Sequence, residues 1–154
     1  MSEPPIPHQQ ADRRRWMAVL ARASAGEIEC RLRDIPPLPA YTRLRGPECG
    51  LVMVRGRIGG GGGAFKLGEM TVTRCTVRTA SGRVGHAYVA GRDARQAELA
   101  AVLDAALQDP ERASELRVAI LEPLAQTQRE QTASTARKAA ATRVEFFAMS
   151  NMRS

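Results

Sequence analysis

Aromatic side chains make up only 4% of this 154-residue chain, lysine is almost absent, and cysteine and histidine are too few to build much with. The cysteines are Cys30, Cys49 and Cys75, an odd and widely spaced set. That argues against a disulfide framework and for a reducing compartment, the cytoplasm. His8 and His86 complete a pool with no zinc-ligand spacing, so metal binding by this chain alone is not expected. No apolar run of about 18 residues is present to span a membrane. The opening MSEPPIPHQQ lacks the basic and apolar regions of a secretory signal. G-x-S-x-G, H-E-x-x-H and catalytic cysteine signatures are missing as well. Few aromatics leave a core of Ala, Val and Leu, which buries less area per residue and predicts modest stability without a partner.

Charge is what the sequence has, and it is localised. The chain carries 23 basic and 16 acidic residues, a formal net of +7. Between Tyr41 and Arg95, ten basic residues face three acids, so this segment holds the whole excess and the remainder balances to zero. All but Lys66 and Lys138 of the basic residues are arginine, which GC-rich codon usage or anion recognition would each explain. A field of this kind attracts anions or an acidic partner surface.

Periodicity organises the chain as one domain over residues 11–149, with 1–10 as a flexible lead and 150–154 as a tail. Asp12 is a candidate N-cap for a helix bearing Trp16, Val19, Leu20 and Ala23, and Ser24 to Glu27 forms a capping box for a short second helix. From Tyr41 the period becomes two. Threonine- and valine-rich runs and a Ser81-Gly82 turn predict an α+β fold with an antiparallel sheet of four to five strands within about 41–90. Alternation at Leu116, Val118 and Ile120 makes 116–124 a candidate further strand. Parity assigns Val52, Val54, Ile58, Cys75, Val77, Ala87 and Val89 to the inward face. It turns Arg55, Arg57, Arg74, Arg78, His86 and Tyr88 outward, and Val72, on the wrong parity, predicts a bulge near Thr73. Asp93 and Gln96 signal a helix at about 94–108 with Leu99, Val102, Leu103 and Ala106 in one stripe, Asp109-Pro110 marks a fresh start, and a long helix covers 127–149.

Gly59 to Gly63 would suit a hairpin tip or an anion-contacting loop. No P-loop lysine and no helix follow, and the run meets a dinucleotide glycine pattern only trivially. Arg57, Lys66, Arg74, Arg78 and Arg92 could ring a phosphate-rich ligand, or form a solvated or partner-facing sheet face. Asp93 reads first as a helix cap and second as a catalytic carboxylate. RVGHAYVA at 83–90 faintly echoes an RNA-recognition strand but offers Tyr88 alone for stacking. A nucleotide- or nucleic-acid-binding module on the basic sheet is therefore the alternative reading. A complete active site is not present in these motifs.

An ordered set of short motifs resembles the PhnG family of the bacterial carbon–phosphorus lyase system. It runs through Arg15-Trp16-Met17, Leu20-Ala21, Gly50-Leu51-Val52, Arg57-Ile58-Gly59-Gly60, Phe65, Thr73-Arg74, Val77-Arg78 and Gly91-Arg92-Asp93. It ends with Pro123-Leu124 and Ala141-Thr142-Arg143-Val144 before Phe146-Phe147, so the likeness covers about residues 13–149. The resemblance implies a cytoplasmic subunit of a hetero-oligomeric complex in organophosphonate catabolism. There PhnG, PhnH and PhnI act with the ATPase-like PhnL to displace adenine from MgATP by an alkylphosphonate. PhnI is associated with the nucleosidase chemistry, and PhnJ, with an iron–sulfur cluster and S-adenosylmethionine, later cleaves the carbon–phosphorus bond. The resemblance carries over no catalytic residue to this chain. It leaves Arg57, Gly59, Gly60, Lys66, Thr73, Arg74, Arg78, Arg92, Asp93 and Arg143 as anion-binding or interface candidates.

Overall fold

A computed structural model describes residues 8–57 and 62–142. Two N-terminal helices, α1 (His8–Leu20) and α2 (Ala25–Leu32), precede an antiparallel meander of β1 (Tyr41–Arg57), β2 (Ala64–Thr79) and β3 (Val84–Ala90). Helices α3 (Ala94–Leu107) and α4 (Pro110–Leu116) follow, then a π-turn (Arg117–Leu121) that runs into α5 (Glu122–Ala141). The expected α+β class holds. Among the described residues the sheet has three strands in the order β1-β2-β3, fewer than the four to five expected. The period-two segment from Tyr41 runs as a single 17-residue β1.

Local signals account for most boundaries. Ser24 caps α2, its hydroxyl accepting from Glu27 N while the Glu27 carboxylate receives Ser24 N at 2.7 Å. Asp93 caps α3 through Gln96 N, and Asp109 caps α4 with Pro110 in its first turn. Gly82, at φ +83, makes the β2–β3 turn. Asp12 does not cap α1, which starts four residues earlier at His8; it lies within the helix and pairs with Arg15 and Arg117 instead.

Residues 116–124 are helical. Leu116, Ile120, Leu121 and Leu124 are buried, whereas Val118 is 60% exposed. Leu116 and Ile120 fit i, i+4 spacing as well as alternation, and burial of Leu121 and Leu124 with exposure of Val118 selects the helix. The π-turn, closed by Glu122 N–H donating to Arg117 O, widens one turn within a continuous helical run.

The core lies between one face of the sheet and the helices, with α3 at its centre. Gln96 to Leu107 are buried without interruption, so α3 is enclosed on all sides rather than presenting one stripe. Small residues let it approach the sheet closely. At Gly85 a Cβ would overlap the Ala101 carbonyl oxygen and come within 2.6 Å of Ala105 N.

Register corrects the parity expected from the sequence. Cys75 pairs with Ala87, Val77 with Gly85 and Thr73 with Val89, so these share the face under α3. In β1, however, it is Cys49 and Leu51 that pair with Thr73 and Thr71, while Val52 pairs with Met70. Val52 and Val54 therefore lie on the opposite face, with Val72. The irregularities sit in β1 between Arg43 and Arg45 and between Arg45 and Glu48, and near Val54/Arg55, where Leu67 is the extra residue of β2. The β2–β3 register is unbroken at Thr73, where a bulge had been expected. Pro47, which cannot donate to a ladder, falls within the second irregularity.

Candidate functional site

The sheet places the basic residues by strand position. β3 pairs only with Val72 to Arg78 of β2, so the β1–β2 hairpin runs on as a two-stranded ribbon, Leu51–Arg57 against Ala64–Thr71. Arg57 and Lys66 stand toward the far end of this ribbon, with Lys66 paired to Arg55. Arg74 and Arg78 lie on the sheet face away from α3, beside Tyr88 and Val84. Arg92 and Asp93 occupy the β3–α3 turn, where Gly91 at φ +92 donates its N–H to Thr71 O. Gly59, Gly60 and Arg143 lie outside the described residues.

These positions do not converge. Lys66 and Arg78 are twelve residues apart on one strand, a separation of about 40 Å at ~3.3 Å per residue. A single triphosphate cannot be ringed by both. Thr73 is fully buried and donates its hydroxyl to Gly91 O at 2.7 Å, fixing the β3–α3 turn. Arg74 is held by Glu48 at 2.6 Å, and Arg45 grips the same carboxylate. Asp93 spends one carboxylate oxygen on capping α3, at 2.9 Å from Gln96 N. Arg57, Lys66, Arg78 and Arg92 are exposed and make no ion pair among the described residues.

Two acids inside α3 hold the molecule together, and neither was singled out from the motifs. Asp104 is fully buried and accepts from Arg13 Nε at 3.0 Å, Arg13 Nη2 at 2.6 Å, Trp16 Nε1 at 2.8 Å and His86 N at 2.8 Å. One carboxylate thus ties α1, α3 and the outer edge of β3. Arg13's guanidinium is held above its ordinary value, first by its hydrogen bond to Asp104, against a smaller desolvation effect. Glu98 receives Arg43 in two parallel bonds, at 2.7 and 3.0 Å, and the Tyr41 hydroxyl at 2.9 Å. Its carboxyl is held below the usual range, chiefly by the Arg43 hydrogen bond and against desolvation. The signal for both was a charge set inside an apolar helical run, AELAAVLDAAL, where burial demands a partner.

The arrangement offers little for bond-making. Among the described residues His86 Nδ1 meets only Thr76 Oγ1, at 3.2 Å. The Cys75 thiol is buried and pushed up by desolvation and then by the Glu98 charge, which disfavours the reactive thiolate. Among the described residues no three His, Cys, Asp or Glu side chains gather as a metal-binding group. A cleft of about 460 Å³ is lined by Gln10, Asp12, Arg13, Trp16, Gln108 and Arg117. Its charges are already engaged, Arg13 with Asp104 and Arg117 with Asp12, and none of its lining residues belongs to the basic ribbon. No helix among the described residues is long and apolar enough to cross a membrane.

Fold and site together define a small α+β protein with a cationic sheet extension and, among its described residues, no cluster of three His, Cys, Asp or Glu that could hold a metal. Its sequence matches the family described as "Phosphonate metabolism protein PhnG" over residues 11–152, and the chain belongs to that family. A relative from Rhizobium meliloti (strain 1021), alpha-D-ribose 1-methylphosphonate 5-triphosphate synthase subunit PhnG, is 45% identical over 139 residues. Those residues are 90% of this chain and 88% of the relative.

Proposed function

We propose that this chain is the PhnG subunit of the carbon–phosphorus lyase complex. In that role it is needed for transfer of the ribose triphosphate of MgATP to an alkylphosphonate with release of adenine. The observation that carries this reading is the near full-length likeness to a subunit of that synthase. The chemistry of the described residues supports a site-completing or assembly role over an autonomous enzyme. Paired acids, a buried thiol and a histidine without an acid leave no acid–base couple for nucleosidyl transfer.

In this reading PhnI, PhnH and PhnJ are its partners, PhnL is functionally linked, and the complex is cytoplasmic. MgATP and alkylphosphonate are substrates of the assembly, and the iron–sulfur cluster and S-adenosylmethionine belong to PhnJ. The test is omission. PhnH, PhnI and PhnL are assayed for adenine release from MgATP and methylphosphonate with and without this chain. Release that requires the chain supports the proposal, and equal release without it rejects the proposal.

A further inference from the structure

The two edges of the sheet are treated differently. The start of β3's outer edge is engaged by side chains: His86 N donates to Asp104, and Val84 O accepts from Gln108 Nε2 at 2.8 Å and from Arg13 Nη2 at 3.4 Å. β1's outer edge pairs with no strand among the described residues. Its register with β2 is regular from Glu48 to Val54, without the bulges or prolines that normally block an edge. The same stretch carries Leu51 at 64% and Met53 at 50% exposure, and across the ribbon Leu67 is at 61% and Met70 at 42%.

A two-stranded ribbon is marginal in water, and a third strand or a covering surface is what normally stabilises it. Exposed apolar chains on both faces add a hydrophobic drive to be covered. The charge of this ribbon is Arg55, Arg57 and Lys66 against Glu69 alone. A second copy would set one +7 segment against another and accumulate like charge. An acidic surface would neutralise it.

We propose that the free edge of β1 and the ribbon's apolar faces are the docking surface for a different, acidic subunit. That subunit adds a strand along Glu48–Val54, seats Leu51 and Met53 in an apolar groove, and meets the basic end with carboxylates. The inference rests on the multi-subunit reading given above and names the surface that serves it.

The test co-expresses the full chain with PhnH, PhnI and PhnJ and follows hydrogen exchange of the free chain and of the purified complex. Amides of 48–57 and 64–71 slow by about tenfold or more on assembly. The Leu51→Glu/Met53→Glu chain retains about tenfold less partner, with thermal melting as for wild type because both residues are at least half exposed. Val118→Glu, equally exposed on the π-turn, retains partner normally. The Arg55→Glu/Lys66→Glu chain loses partner, and unchanged retention overturns the acidic rim. A complex that forms with protection confined to α5 or α1 overturns the ribbon while leaving the assembly reading intact. A free chain that dimerises with ribbon protection shows a second copy as the occupant and overturns the proposal. Wild-type chain that retains no subunit overturns the assembly reading and this inference with it.

Discussion

Asp104 shows how much one side chain decides here. Its removal leaves the Trp16 indole N–H, the His86 amide and the Arg13 guanidinium without their acceptor in or beside the core. Asp104→Ala is expected to cost about 3–5 kcal/mol, the usual penalty for breaking a buried charged pair, read as a lower urea midpoint. Gly85→Ala adds one methyl where α3 crosses β3 at backbone contact. It is expected to cost about 1–3 kcal/mol or more by forcing the two apart. Glu98 supplies a pH dependence. Its folded carboxyl lies below the ordinary value of 4.5, so its stabilisation is present above that value and is lost as pH falls through the folded one. Stability measured from pH 7 downward is expected to fall more steeply for wild type than for Glu98→Gln once below about pH 5. These residues were only partly legible in the sequence. A charge inside an apolar helical run announces that a partner exists, but not that the partner is Arg43, 55 positions earlier, or Arg13, 91 positions earlier.

Among the elements, helices were easier to read than strands because capping is local. Ser24, Asp93 and Asp109 each caps a helix whose first turn lies within three residues of it. Alternation of Leu116, Val118 and Ile120 imitates a strand where the π-turn lies, and the burial of Leu121 and Leu124 with the exposure of Val118 separates the two periods. The last part of the expected long helix, 143–149 with Phe146 and Phe147, lies outside the described residues. The ribbon lacks the cover that the body of the sheet receives from α3, so its hydrogen bonds open more readily. Free-chain exchange at 51–57 and 64–71 is expected to outpace that at 73–77 by about 100-fold or more. Comparable protection in both segments would mean that the ribbon is sealed by the chain itself.

For the molecule as a whole, the field of the +7 segment matters more than any pocket. Arg92 is exposed at the β3–α3 turn with no ion pair among the described residues. Arg92→Ala is therefore expected to leave the melting temperature within a degree or two (roughly 0.5 kcal/mol) while lowering complex yield or adenine release. Unchanged assembly and turnover would remove Arg92 from the functional surface. A labelled oligonucleotide titrated against the free chain is expected to bind weakly without saturation, since Tyr88 is the lone aromatic on the outward face of β3. Saturable binding with a steep salt slope would favour the nucleic-acid reading instead.

What the sequence determined by itself was whatever rests on neighbours along the chain: the helix caps, the turn at Gly82, the confinement of charge to 41–95 and the ordered motifs of the family. What only the tertiary structure decided was which face each strand residue takes and which charges find partners. Side chains alternate with period two, so the face a residue takes follows from the register. The two irregularities in β1 before Glu48 each add one residue, and from Glu48 to Val54 residues of like parity are again paired, as Arg43 and Val77 are. Val52 and Val54 consequently lie opposite Cys75 and Val77, although their spacing had grouped them together. Pairing across dozens of residues depends on that register, and composition does not contain it.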